Sequence, residues 1–224
     1  MSYHIVYAGT SRSFPSAHAF TSAAQESGPS LVYIGEGSGA AFAVATRNED
    51  APFIAIELGS ECLGVHTGED RGLEGSNVVG FARFRLGTAA PSSLVELVRQ
   101  PHTHPAALLA ARAAFEAAGF KVAVCADFPG RIVDRLVRPY YNAALRRLDE
   151  GLASAQDMDT TLRLGLGYPE GPITLLERTG LAEHHDITLS LFEQLREEAY
   201  APARRALVAA LRRQIASSTT KETS

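Results

Sequence analysis

Residues 151–180 read GLASAQDMDTTLRLGLGYPEGPITLLERTG. Ser154 stands three positions before Asp157, a variant of the capping-box pattern, so a helix is expected to begin there. The cluster Gly165-Leu-Gly167-Tyr-Pro169-Glu-Gly171-Pro172 must break it, and Pro172 suits the first turn of the next helix. Upstream, Ile132, Val133, Leu136, Val137, Tyr140, Ala144, Leu145 and Leu148 recur at helical spacing. Pro139 lies inside that run and is expected to kink it or open its ladder. Downstream, helices are expected near Ile173–Arg178, Ile187–Glu198 and Ala203–Ile215. The polar tail SSTTKETS, residues 217–224, is expected to be disordered. No β-like run follows Asp127, so residues 128–216 are read as an all-α domain.

Before Asp127 the pattern is different. Apolar, β-branched runs at His4–Gly9, Ser30–Gly37, Pro52–Gly59, Asn77–Phe84 and Lys121–Asp127 read as strands. Ser16–Gly28 reads as a helix with Ser16 as N-cap, SLVELVRQ as the opening of a helical turn or two, and His104–Phe120 as an Ala-rich amphipathic helix. Continuous apolar strands alternating with helices favour a mostly parallel sheet covered on both faces. The expected fold is therefore a Rossmann-like α/β domain over residues 1–127 followed by an all-α domain.

The chain has 224 residues, 46% of them hydrophobic and 21% charged, with a formal net charge of −4. It has no global basic field, so nucleic acid is not an expected partner. No apolar run approaches the roughly 20 residues a bilayer span needs, so no membrane role is expected. The start MSYHIVYAG has no signal-peptide character. Cys62 and Cys125 lie in apolar, strand-like surroundings and are expected to be buried thiols, which fits a cytoplasmic protein.

The helical half resembles the C-terminal domain of the 3-hydroxyacyl-CoA dehydrogenase family. The matching residues are Asp127, Pro129-Gly130, Arg135, Pro139-Tyr140, Asn142, Gly151 to Ser154, Asp157, Asp159, Leu164-Gly165, Gly167, Pro169, Gly171-Pro172, Leu175-Leu176 and Gly180-Leu181. The likeness covers roughly Asp127 to Ile215. A fainter one reaches back through VVGFARF, LVELV and AAGFKVAVCADFPG. The resemblance implies a Rossmann domain holding NAD and a helical domain closing over acyl-CoA. It also implies hydride transfer from carbon 3 of the substrate, with a histidine taking the hydroxyl proton and a glutamate orienting that histidine. A serine and an asparagine contact the substrate, and a homodimer forms through the helical domain.

Carried over position by position, that machinery is incomplete here. The glycine fingerprint after the first strand reads Ala8-Gly9-Thr10-Ser11-Arg12-Ser13-Phe14, in which only Gly9 fits a pyrophosphate seat. The histidine position, in Gly80-Phe81-Ala82-Arg83-Phe84, is Ala82, which cannot exchange a proton. Glu96 matches the orienting glutamate. The asparagine position holds Asp134 and the serine position aligns with Glu61. A carboxylate at either place would repel a developing oxyanion rather than stabilise it. Arg83 and Arg85 emerge at the end of the same strand. They are expected to pair with Glu61, Glu96 and Asp134 in an internal salt-bridge network, or else to bind a phosphate or carboxylate in a substrate cleft.

Other constellations have plainer readings. His102 and His104 suit a loop capping the next helix rather than a metal site, and His184-His185 suit a helix-start loop. His66 could replace the missing histidine only if its loop folds inward. Gly35-Glu-Gly37-Ser-Gly39 reads as a turn, since no Lys-Ser/Thr follows it to bind phosphate. Arg204, Arg205, Arg212 and Arg213 read as a solvated helix face, with a CoA phosphate site as the sharper alternative. No metal is expected.

Three functions follow. The first is a diverged relative without dehydrogenase activity and without a cofactor. It would bind acyl-CoA or assist a complete dehydrogenase. The second is an active NAD-dependent 3-hydroxyacyl-CoA dehydrogenase with an atypical site. The third is a carboxylate-based thioester hydrolase or hydratase using Glu96, Glu61 or Asp134.

Overall fold

The computed structural model describes residues 2–69 and 76–222. The chain divides into two compact units. One comprises the residues up to Arg85 together with Pro91–Ile132. The other comprises Leu86–Ala90 together with the residues from Val133 on. The first unit extends past Asp127 because the start of the next helix is tied to the sheet loops: Gly130 donates its N–H to the Ser60 carbonyl at 2.9 Å.

In the first unit, β1 (Tyr3–Tyr7), β2 (Ser30–Ile34), β3 (Ile54–Glu57), β4 (Val78–Arg83), β5 (Leu94–Arg99) and β6 (Lys121–Ala126) form one sheet in simple sequential order. All neighbouring pairs are parallel except β4–β5. Among the described residues the strand order never reverses. The stretch SLVELVRQ, expected as helical, is β5. Val95 and Leu97 face one core and Val98 the other. A run buried on both faces has no period that separates strand from helix, and the ladder with β4 and β6 decides it.

One face of the sheet is covered by α1 (Ala19–Ser22) and α4 (Pro105–Ala117), through Phe20, Phe115 and an alanine stripe. The other is covered by α2 (Ser38–Val44) through Ala41 and Phe42, with Leu63. The helix expected over Ser16–Gly28 is a single turn. It is capped by His18 and Thr21, not Ser16, and it ends because the Gln25 N–H is drawn to the Tyr3 carbonyl at 3.0 Å. One further turn, α3 (Gly64–Thr67), follows β3.

The second unit is helical, with α5 (Arg131–Asp149), α6 (Ala155–Leu166), α7 (Pro172–Thr179), α8 (Leu181–Leu195) and α9 (Arg204–Glu222). Ser154 caps α6 as expected, accepting the Asp157 N–H at 3.1 Å. Helix α5 continues through Pro139. Proline deprives the Arg135 carbonyl of its partner four residues on, and the Tyr200 hydroxyl donates to that carbonyl at 3.1 Å instead. Asp159 explains the Gly171-Pro172 pair. Its buried carboxylate accepts the Ile173 and Thr174 N–H groups, each at 2.9 Å, and so caps α7 from α6. Residues 217–222, expected as a disordered tail, continue α9, and the last two residues lie outside the described ones. Among the described residues no helix is long and apolar enough to cross a membrane.

Candidate functional site

Strands β1, β2 and β3 end at Tyr7, Ile34 and Glu57, and the loops that follow them surround a cleft of about 600 Å³. Its polar lining includes Ser11, Arg12, Glu36, Glu57, Glu61, His66 and Arg85. Glu57 organises the floor. Its buried carboxylate accepts the Ser11 hydroxyl at 2.8 and 2.9 Å, the Ser13 N–H at 2.7 Å and the Gly35 N–H at 2.7 Å. Ser38 donates its hydroxyl to the Glu57 carbonyl at 2.7 Å. Gly35 has φ +114°, and a Cβ there would strike the Ala8 carbonyl, so only glycine brings the second loop this close to the first. The glycine-rich segment is therefore a tight turn, as expected, and one of its amides is spent on an internal carboxylate. Sequence reasoning missed Glu57. The available signal was a single acidic residue closing the otherwise apolar run Phe53–Leu58.

Ala82 and Glu96 are direct cross-strand partners in the antiparallel β4–β5 pair, and both are buried. A histidine at position 82 would thus stand beside this glutamate. With alanine there, Glu96 accepts the Ile132 N–H at 2.8 Å.

The expected salt-bridge network of Arg83 and Arg85 with Glu61, Glu96 and Asp134 does not form as drawn. Arg83 points to the opposite side of β4 from Ala82. It donates to the carbonyls of Ser13, Ser92 at 2.9 Å and Pro91 at 3.2 Å, and it stacks over Phe14 and Phe120 at 5.3 and 4.7 Å. Carbonyl oxygens and aromatic faces can hold a guanidinium without a carboxylate. Its role is to clamp the Ser13 loop, so Arg83 is not a cleft residue. Arg85 does line the cleft, and its carbonyl accepts from Arg12 at 2.6 Å.

Glu61 and His66 do meet. The Glu61 carboxylate lies 3.4 Å from His66 Nε2 and also takes the Gly59 N–H at 3.0 Å. Burial opposes its ionisation, but the His66 contact, the Gly59 and Glu61 amides and the Arg131 guanidinium outweigh that and hold its carboxyl below the usual range. Arg131 adopts φ +50°, an uncommon conformation for a side-chain-bearing residue. It donates to the Gly59 carbonyl and, at 3.2 Å, to the Glu61 carbonyl. Asp127 accepts the Leu63 and Gly64 N–H groups at 2.6 and 2.7 Å, fastening the turn that carries His66. The His66 segment therefore folds inward.

Asp134 belongs to the helical unit. It receives the Arg138 Nε–H at 2.7 Å, and Arg138 is fully buried. Arg138 also reaches His184 Nδ1 at 3.0 Å. His184 Nε2 meets the Asn142 side-chain oxygen Oδ1 at 3.0 Å, and Asn142 Nδ2 donates to the Thr188 hydroxyl at 2.7 Å. A guanidinium can only donate, so His184 is neutral with its proton on Nε2. Burial first, then the charge of Arg138 and the neighbouring His185, lower its pKa to about 3. An unfolded histidine titrates near 6.5. Below that value the unfolded chain takes up a proton that the folded one refuses. This contribution to stability is thus whole above about pH 6.5 and falls by roughly 1.4 kcal/mol per pH unit on acidification toward 3. Denaturation midpoints between pH 7 and 4 should fall less steeply in His184→Gln than in the parent. Equal slopes would refute the assignment.

His184 and His185 lie inside α8 rather than in a helix-start loop. His104 precedes α4 as expected. Among the described residues no group of three or more metal-ligating side chains is placed to hold an ion. Arg204 and Arg205 both bind Asp149, and Arg213 binds Asp186 and Glu183, so these charges fasten α9 rather than forming only a solvated face. Cys62 and Cys125 are free and half-buried. Burial, with nearby carboxylates, raises both thiols to about 11.

Residues 130–219 match the model of the 3-hydroxyacyl-CoA dehydrogenase C-terminal domain. The chain is 41% identical over 102 residues to the human mitochondrial hydroxyacyl-coenzyme A dehydrogenase, a match covering 45% of this chain and 32% of that one. It thus spans about a third of the length of that relative. Among solved structures, M. tuberculosis FadB2 superposes with a TM-score of 0.69 at 24% identity, covering 84% of this chain and 67% of that one. The Escherichia coli 3-hydroxybutyryl-CoA dehydrogenase does so with a TM-score of 0.69 at 24% identity, covering 88% and 41%. These superpositions establish the fold: a Rossmann-like sheet unit followed by a helical unit. Over residues 130–219, the helical unit is similar to the C-terminal domain of the 3-hydroxyacyl-CoA dehydrogenase family.

Proposed function

We propose that this protein is a diverged member of the family that binds acyl-CoA thioesters, alone or beside a complete dehydrogenase, without NAD-dependent hydride transfer. The observation that carries the proposal is Ala82 facing Glu96 across β4–β5. The glutamate and the strand geometry are present, but no imidazole stands between them. The loop residues do not fit a dinucleotide. A pyrophosphate needs free amides at the end of the first strand. Here the Ser13 and Gly35 amides are held by the Glu57 carboxylate, whose charge would repel a phosphate. The proposal includes a homodimer through the helical unit, supported by exposed Leu164, Leu166, Leu211 and Ile215. It also includes a cytoplasmic setting, supported by the free cysteines.

Titration with NADH, followed by its fluorescence, should give no saturable binding. Butyryl-CoA should raise the melting temperature, because a ligand of the folded state stabilises it by mass action. Saturable NADH binding accompanied by 3-hydroxyacyl-CoA oxidation would overturn the proposal.

A further inference from the structure

The cleft at the ends of β1–β3 contains a histidine for which the family resemblance has no place. Three elements converge to hold it. The turn α3 carries His66 and is fastened at its start by the Asp127 carboxylate. The segment after β3 brings Glu61 to 3.4 Å from His66 Nε2, and the Gly59 N–H and the Arg131 guanidinium keep that segment in place. Helix α2 contributes Gly39, whose missing side chain makes the space the imidazole fills: a Cβ at residue 39 would overlap His66 Cε1 and Nδ1. The imidazole is only 18% exposed. A proton on Nε2, shared with Glu61, leaves Nδ1 as the acceptor nitrogen.

We propose that His66 is a general base in this cleft, oriented by Glu61, and that the pair activates water for hydrolysis of an acyl thioester. Water is the nucleophile because the two serine hydroxyls of the cleft are committed: Ser11 donates to the Glu57 carboxylate and Ser38 to its carbonyl. The water oxygen bonds to the acyl carbon while its proton passes to His66 Nδ1. The carbon–sulfur bond then breaks, and the imidazolium returns that proton to the thiolate. The products are a carboxylic acid and a thiol, and no oxidant or reductant takes part. Arg12 and Arg85, on the same cleft, supply positive charge for the oxyanion, and Ala40 and Leu58 give its wall an apolar part. The carboxylate–imidazole pair follows the same logic as other oriented-base sites, with water in place of a side-chain nucleophile. Glu61 is a positioning residue. Glu36, Glu57, Arg12 and Arg85 are the other charged groups that line this cleft with the imidazole.

This inference rests on the acyl-CoA reading above, and the experiment separates the two. The full chain is incubated with butyryl-CoA, and loss of thioester ultraviolet absorbance is followed between pH 5 and 9. The melting shift caused by the same ligand is recorded in parallel. Turnover above the solvent rate is expected. It should fall about 100-fold or more in His66→Gln while the melting shift persists. Glu61→Gln should move the acidic limb of the pH profile to lower pH, because the imidazole loses its anionic partner. Gly39→Ala should abolish turnover without loss of helicity, since alanine favours a helix but displaces the imidazole. A melting shift without turnover, or full turnover in His66→Gln, overturns the dyad and leaves the binding reading standing. Absence of both turnover and a melting shift overturns both.

Discussion

Replacing Asp134 by alanine is expected to destabilise the helical unit by about 3–5 kcal/mol, the cost of leaving a fully buried guanidinium without its carboxylate. The family correspondence had marked Asp134 as an altered substrate contact, but the side chain is committed to Arg138. The Arg138–His184–Asn142–Thr188 chain then depends on that orientation, because each member accepts from or donates to the next. Helical circular dichroism during urea denaturation measures the effect as a lower midpoint with an unchanged slope. The double variant Asp134→Leu, Arg138→Met supplies the control. It removes both charges at similar volume and should recover most of the loss. If Asp134→Ala unfolds at the parent midpoint, the pair has no structural role.

Glu57→Ala is expected to cost about 3 kcal/mol in the sheet unit, since it strands two buried amides and a serine hydroxyl at once. The loops after β1 and β2 are joined through this one carboxylate, so both should loosen together. Amide hydrogen exchange should show lost protection at Ser13 and Gly35 well before the β-ladder opens. Protection unchanged at both amides would mean that the loops hold their shape without the side chain. Glu57→Gln is informative beside it. An amide group can accept only through its single oxygen and brings two donors of its own, so it should recover part of the stability but not the full set of contacts.

Much of the fold was legible in the sequence. The strands β1–β4 and β6 stood out as apolar runs. The Ala-rich α4, the Ser154 cap and the Pro172 start of α7 carry their chemistry locally, in spacing, caps and proline geometry. The β4–β5 register places Ala82 and Glu96 opposite each other, a pairing that only the ladder fixes. SLVELVRQ was not legible, because a segment covered on both faces loses the alternation that would mark a strand. The helix over Ser16–Gly28 shrank to one turn because a sheet-edge carbonyl, remote in sequence, captures the Gln25 amide.

Local chemistry determined where this chain caps, turns and alternates, and hence its two kinds of unit. Ionic partnership was decided only in three dimensions. Asp134 went to Arg138, Arg83 to carbonyls and rings, Glu57 to the loop amides, and Glu61 to His66. A charged side chain is several bonds long and will pair with whichever opposite charge or dipole the fold brings within about 3 Å, a proximity that spacing along the chain does not encode.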